Sequence, residues 1–430
     1  MEELLCHVWK NKLYTNSLLQ CVDGTPIEIL DTGWQNTDAG PDFFNAKIKV
    51  GPTVWVGNVE IHDRSSTWYH HSHHLDKAYD SVVLHVVRVC DTAVFRTNSE
   101  PIWQFEMHIP PGIQDNYKQL KQGRHAGMPC AEMLASMPSL FLLDWKTSLA
   151  MERLQQKAQQ IYDKLECYRG DWEEVFYITL ARSLGTGINS DAFERLARTL
   201  PQQYWRKHAN SLLQMESLFL GQSGFLTSET ITHPYYLLLR REYSFLAHKF
   251  RLKPLSHSIW KSFRIRPNAF PQIRVAYLAT LLHTYARLFD LFLHAPDLKS
   301  LRNLLYVPLS SFWDTHYQFE ETSIDKPKVL GVATLNSILI NAYIPLLYAY
   351  AGYHHDDALA ERAIGLLESI DAENNVFVRN WRTSGMPVRN AFESQAIIQL
   401  QRSYCEQHKC MYCKLGHRYL QKNIHTRVDV

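Results

Sequence analysis

Apolar and polar residues alternate with a period of two in short runs over the first 110 residues, then switch to helical spacing from about residue 144. β-Branched and aromatic runs broken by Gly, Pro, Asn and Asp predict strands over 25–30, 43–50, 53–62, 81–89 and 102–109. Pro110, Pro111 and Gly112 close this region, and 123–129 reads as a connector. Residues 144–168 then carry apolar positions at helical spacing with no Pro or Gly. Asp171-Trp-Glu-Glu174 has the form of a helix start, with a capping Asp and a Glu three residues on, and Gly185 and Gly187 end that helix. Further helices are predicted over 190–200, 202–220, 235–250, 271–294, 335–350, 357–370 and 391–407. The pattern predicts an α+β protein: a small mixed α/β sheet domain over 1–125, a large all-α domain over 126–403, and a Cys-bearing tail over 404–430.

The stretch with most chemistry is Gly40-Pro41-Asp42, the run 43–50, Gly51-Pro52, and the run 53–62 ending Glu60-Ile61-His62. Two strand-like runs around Gly-Pro predict a hairpin. Alternation places Glu60 and His62 on one face of the second strand, with Val59 and Ile61 on the other. A three-residue loop, 50–52, would set Asp42 opposite Glu60, whereas a two-residue loop would turn Asp42 to the opposite face. With the first register, Asp42, Glu60 and His62 converge at the open end of the hairpin. Two carboxylates on one face supply hard oxygen ligands for Mg²⁺ or Mn²⁺ and leave positions for water and phosphate.

Six of the 21 histidines fall between 62 and 85: His62, His70, His71, His73, His74 and His85. If 70–74 is helical, His74 lies one turn from His70 and His71, a spacing that can ligate Zn²⁺. His85, inside Val82-Val-Leu-His-Val-Val87, needs a partner in a half-buried strand. Otherwise these residues form an aromatic, polar loop over the sheet with one hydrogen-bonded core histidine. Arg64, Trp68 and Tyr69 interleave cation and aromatic, as a phosphate and base platform does. Arg266-Pro-Asn268 and Trp313-Asp-Thr-His-Tyr317 are further polar–aromatic clusters, expected to cap helices and satisfy buried backbone.

Charge is nearly balanced, with 45 Lys and Arg against 43 Asp and Glu, which excludes a histone-like cationic coat but not a local basic groove. Residues 1–14 mix acids and bases with apolar side chains and are not read as a signal peptide. The uncharged run 329–353 is long enough to span a bilayer, but two Asn and a Pro inside it predict a buried helix of a soluble, cytoplasmic protein. In a reducing compartment the eight cysteines are thiols or metal ligands. Three of them cluster as Cys405, Cys410 and Cys413, with the knuckle spacing Cys410-x-x-Cys413. The fourth ligand is expected to be Cys130, with His408 and His417 as alternatives. Zinc is preferred over an iron–sulfur cluster.

Pro41-Asp42, a 17-residue spacer and Glu60-Ile-His62 resemble the PD-(D/E)xK nuclease superfamily, whose motif places Asp/Glu-x-Lys on an adjacent strand. His62 stands where that superfamily usually has Lys. Across most of its length the chain also resembles the bacterial family named domain of unknown function 2851. That resemblance runs through Gly57-Asn-Val-Glu-Ile-His62, Val83-Leu-His-Val-Val87, Asp171-Trp-Glu-Glu-Val-Phe176, Arg266-Pro-Asn-Ala-Phe-Pro271 and the Cys tail. It implies no activity. The nuclease resemblance implies a metal-dependent enzyme cutting DNA or RNA phosphodiesters. Asp42 and Glu60 would then hold Mg²⁺ or Mn²⁺, with His62 in place of the Lys and His74 or His85 assisting. The alternatives are a non-catalytic scaffold that binds nucleic acid or protein, and a zinc hydrolase built on the histidines.

Overall fold

The computed structural model describes residues 1–16, 19–36, 38–122 and 128–422. Of the connector expected over 123–129, residues 123–127 lie outside the described residues, as does the tail beyond 422. The chain forms two compact units, Met1–Pro138 with Leu400–Val430, and Ser139–Gln399. The α+β class is as expected, with the sheet in the first unit and helices dominating the second. The sequence pattern divides the chain at 125 and 403, whereas the compact units divide at 138 and 399. The Cys-bearing tail packs as part of the sheet unit rather than standing as a third segment.

Helix α1 (Glu2–Lys10), absent from the sequence prediction, opens the first unit. It is followed by β1 (Ile27–Asp31), β2 (Trp34–Gln35), β3 (Phe43–Val50) and β4 (Thr53–Arg64). The short helix α2 (Thr67–His70) and two 3₁₀ turns, His73–Leu75 and Lys77–Tyr79, lead to β5 (Val82–Val89). β6 (Trp103–Glu106) and helix α3 (Pro111–Gln122) complete the element. The sheet order is β1-β3-β4-β5-β6, with β2 on β3. β1, β3 and β4 are antiparallel neighbours, whereas β4–β5 and β5–β6 are parallel.

Period-two alternation explains one face of this sheet. Ile48, Val59, Ile61, Leu84, Val86 and Phe105 are fully or almost fully buried in one cluster with Leu4, Leu5, Val8 and Trp9 of α1. Burying each such side chain contributes about 1.5–3 kcal/mol. The other face is covered as well, by a smaller cluster of Trp68, Val82, Val94 and Ile102. A parallel pair covered on both faces normally carries apolar residues throughout. β4 and β5 do not: Glu60, His62 and His85 point into the covered second face at 6%, 2% and 0% exposure.

In the second unit the start predicted at Asp171 is present, with the Asp171 carboxylate accepting from Glu174 N at 3.0 Å. Two long predicted helices break. Residues 202–220 divide into Gln202–Trp205 and Leu212–Gln222, because Ser211 caps the second piece. Residues 271–294 divide into Pro271–Thr284 and Leu288–His294. Both polar–aromatic clusters are satisfied within this unit: Arg274 Nε donates to Asn268 O at 2.7 Å and Trp313 Nε1 to Glu216 Oε1 at 3.1 Å. The stretch Val332–His354 is long and apolar enough to cross a membrane, but most of it is buried inside this unit. It contains a π-helical turn, Leu339–Tyr343.

Candidate metal centre

The hairpin register decides whether the two carboxylates meet, and a bulge sets it. The loop has two residues, since Val50 pairs with Thr53. Continued without interruption, that register would place Asp42 opposite Ile61 and on the wrong face. Between Ala46↔Gly57 and Phe43↔Val59 the register shifts, so two residues of β3 stand opposite one of β4. Asn45 takes up the extra residue with φ of 55°, a left-handed conformation that Asn tolerates better than most residues. Its backbone N donates to Asn58 Oδ1 at 3.3 Å. Asp42 therefore emerges beside Glu60. Its N–H donates to Glu60 Oε2 at 3.1 Å, and its Oδ2 accepts from Ile61 N at 2.9 Å.

The histidines arrive from the crossover and from β5. Glu60 pairs in register with His85 across the parallel ladder, so both point to the same face. His62 Nδ1 and His85 Nε2 share a hydrogen bond of 2.9 Å. α2 ends at His70, and Ser72 turns left-handed at φ 62°, so residues 70–74 do not form the continuous helix needed for paired ligands at 70 and 74. The turn instead brings His71 and His73 toward His62, His73 buried and His71 exposed. Ligating nitrogens of His62, His71 and His73 all lie within 4.8 Å of one another. Glu60 Oε1 is 3.4 Å from His62 Nε2 and 3.4 Å from His73 Nε2. The His73 nitrogen does not align for a hydrogen bond and is a buried polar atom without a hydrogen-bond partner.

His74 does not join this group; its ring packs against Tyr69 at 5.0 Å. His85 joins it indirectly, by holding His62. Sequence reasoning paired His71 with His74 rather than with His62, and gave His73 no role. The signal was the His-x-His spacing, which places both side chains on one side of a tight turn rather than of a helix. Arg64, Trp68 and Tyr69 form no exposed platform. Trp68 is fully buried with Nε1 donating to Phe95 O at 3.1 Å, and Arg64 pairs with Asp91 at 3.3 Å.

The two acids stand without a cationic side chain beside them: among the described residues no Lys or Arg pairs with Asp42 or Glu60. Burial, and then the Glu60 charge, push the Asp42 carboxyl up to about 7. Burial, and then the neighbouring imidazoles, hold His62 down to about 2. Burial and then His73 hold His85 down to about 3. His62 is thus a neutral imidazole, able to donate a lone pair to a metal but not to supply the cationic charge of a Lys. Two acids beside neutral imidazoles in a covered site are what a divalent cation compensates. Three imidazoles with carboxylate oxygen suit Mn²⁺, Fe²⁺ or Zn²⁺ better than Mg²⁺.

The cysteines gather elsewhere in the same unit. Cys130, Cys405, Cys410 and Cys413 all line one cavity, together with His408. Burial, and then Cys413 and Cys410, push the Cys130 thiol up to about 12. Cys405 is raised by burial and by the same three neighbours. His417 turns away, its Nδ1 lying 3.1 Å from His7 Nε2. Of the alternatives for a fourth ligand, Cys130 and His408 therefore share the cavity with the tail cysteines and His417 pairs with α1.

No curated protein and no solved structure matches the chain. A model of the protein family of unknown function DUF2851 matches residues 2–376. The arrangement of Asp42, Glu60 and the histidines lies wholly inside that match, and the chain belongs to the DUF2851 family.

Proposed function

We propose that the chain is a metal-dependent phosphodiesterase acting on nucleic acid in the cytoplasm, with its metal held at Glu60. The observation that carries this reading is the bulge at Asn45, which brings Asp42 beside Glu60 under a cover of imidazoles. Glu60, His62 and His73 would bind the cation, with His71 and Asp42 completing or flanking the shell. His71 is exposed, so its side of the group faces solvent. A divalent ion at such a site polarises a phosphoryl oxygen and lowers the pKa of water. The chain's own residues divide the remaining work. His85 fixes the orientation of His62 through their 2.9 Å hydrogen bond. Asp42, with a proton affinity near neutrality, can accept or return a proton at Oδ1 while Oδ2 stays on Ile61 N. The donor set favours Mn²⁺ over the Mg²⁺ that two carboxylates alone would suggest.

A second reading has its own support. Three imidazoles with one nitrogen each within 4.8 Å of the others also suit Zn²⁺, and so a zinc hydrolase with another substrate. The test is a cleavage assay on linear and branched DNA and RNA after chelation and reloading with Mn²⁺, Mg²⁺ or Zn²⁺. Products with Mn²⁺, lost in Glu60→Gln and His73→Gln, support the phosphodiesterase. Zinc at stoichiometric level with no nucleic-acid cleavage supports the second reading. Metal binding without any product refutes the phosphodiesterase and leaves a non-catalytic scaffold.

A further inference from the structure

The four cysteines that share a cavity come from four separate backbone devices in the first unit. Cys130 sits in the 3₁₀ helix Pro129–Ser136, and Cys405 ends a π-helical turn, Leu400–Cys405. Cys410 opens the 3₁₀ turn Cys410–Tyr412, and Cys413 immediately precedes the helix Lys414–Leu420. π-Turns are uncommon and frequently mark functional positions. Here the turn is closed by Glu406 N donating to Gln401 O at 2.8 Å, and the next loop by Lys409 N donating to Tyr404 O at 2.8 Å. Cys413 N donates to Cys410 O at 3.3 Å. Gly416 permits this knuckle, because a Cβ there would stand 2.0 Å from the Cys410 carbonyl oxygen.

Protein contacts hold the tail in this position. Asn116 Nδ2 donates to Leu420 O at 3.0 Å and to Lys422 O at 2.9 Å, and His7 Nδ1 lies 3.1 Å from Met411 O. Protein contacts thus bring the thiols together, and the question becomes what size of group they suit. The cavity measures about 290 Å³. One small occupant needs roughly 10–15 Å³ of such space. A zinc ion with four sulfur arms of about 2.3 Å draws the sulfurs to about 3.8 Å of one another. Among the described residues no three of these sulfurs come within 4.8 Å of one another. That spacing is wider than a single tetrahedral ion asks for, and a cubane of four irons, which holds its four thiolates farther apart, suits it and the cavity better. The cavity walls are mainly apolar, with Leu120 and Leu400 among the lining residues. Such surroundings keep water from a cluster and help set its potential.

We propose that Cys130, Cys405, Cys410 and Cys413 ligate a [4Fe–4S] cluster in this cavity. The proposal stands independently of the function proposed for Glu60. It reverses the preference for zinc that the knuckle spacing suggests. Assembly takes two ferrous ions, two ferric ions and four inorganic sulfides from outside the chain, which together make a [4Fe–4S]²⁺ core, and each thiol gives its proton to solvent as its Fe–S bond forms. Cys130 is the fourth ligand, leaving His408 on the cavity wall.

Full-length protein purified without oxygen should contain about four iron and about four acid-labile sulfide per chain. It should be brown, with a broad visible absorption that bleaches on reduction by dithionite. Cys130→Ser, Cys405→Ser, Cys410→Ser and Cys413→Ser should each lose that absorption, whereas Cys21→Ser and Cys167→Ser should keep it. Should a ligand variant fail to fold, wild-type protein stripped by chelator and refilled decides alone. Recovery of the absorption with ferrous plus ferric iron and sulfide, and not with iron alone, supports the cluster. One zinc per chain with no sulfide, two irons with two sulfides, or full retention of the cluster in Cys130→Ser would each overturn the proposal.

Discussion

Replacing Glu60 by Gln should stabilise the metal-free protein while removing its response to metal. Gln keeps the shape of Glu60. Its amide oxygen can still accept from Asp42 N, which lies 3.1 Å from Glu60 Oε2. What disappears is one of two neighbouring negative charges. Two unit charges about 4 Å apart repel by about 4 kcal/mol at an effective dielectric near 20. That is a ceiling, because Asp42 takes up a proton near neutrality and so removes part of the repulsion. A recovery of about 1–2 kcal/mol at pH 8 remains, or roughly 2–8 °C in melting temperature for a unit of this size. Mn²⁺ at about 100 times its Kd should stabilise the wild type by about 2.7 kcal/mol and leave Glu60→Gln unmoved. The two proteins should therefore exchange order. Without metal the variant melts higher, and with Mn²⁺ the wild type does. Scanning fluorimetry after chelation, with and without Mn²⁺, reads both values. An equal metal-induced rise in both proteins would remove Glu60 from the metal shell. A variant that melts lower under both conditions would show Glu60 to be a structural acid.

The other predictions concern the bulge, a close strand contact and a buried carboxyl. Asn45→Val should cost about 1–2 kcal/mol, because φ of 55° is hard for a β-branched residue; it should also lose the Mn²⁺ response through misplaced Asp42, whereas Asn45→Gly keeps that response. Gly57→Ala should lower the urea midpoint by the equivalent of about 1–3 kcal/mol, because its Cβ would meet Val83 Cγ1 at 2.3 Å and Ser81 O at 2.7 Å; an unchanged midpoint refutes the close packing of β4 on β5. In the second unit, burial pushes the Glu216 carboxyl from 4.5 up to about 7. Between those values the native group holds a proton that the unfolded chain has released, so stability falls as pH rises, by about 3 kcal/mol in all. Urea unfolding at pH 4.5 and pH 7.5 should show a smaller fall in Glu216→Gln, and equal falls would place the titration elsewhere.

Local pattern was sufficient for whatever one segment's own chemistry controls. The strands β3, β4 and β5 follow from alternation and from turn residues on either side, since a pleated strand shows its period of two directly. The start at Asp171 follows from a side chain that bonds a backbone N–H three residues away. The pairing of acids along the motif, Asp42 with Glu60-x-His62, is equally visible, as is the knuckle Cys410-x-x-Cys413. α1 escaped because nine residues with mixed charge show little helical signal until they are packed on the sheet. The long helices predicted through Ser211 and through 285–287 escaped because apolar spacing continues across breaks that capping and packing impose.

Convergence was decided in three dimensions. No local rule announces that a two-residue loop will be offset by a bulge at Asn45, because the bulge exists only in the pairing of β3 with β4. His71 and His73 reach His62 because Ser72 turns left-handed within a crossover that must bring β5 parallel to β4. Cys130 reaches the tail cysteines because α1 and α3 hold the final helix of the described chain against the sheet unit. Each of these depends on distances between segments far apart in sequence, and local propensity carries no information on such distances. Residue types announce the chemistry that is available, and only the packed backbone sets which donors share a centre and how wide that centre is.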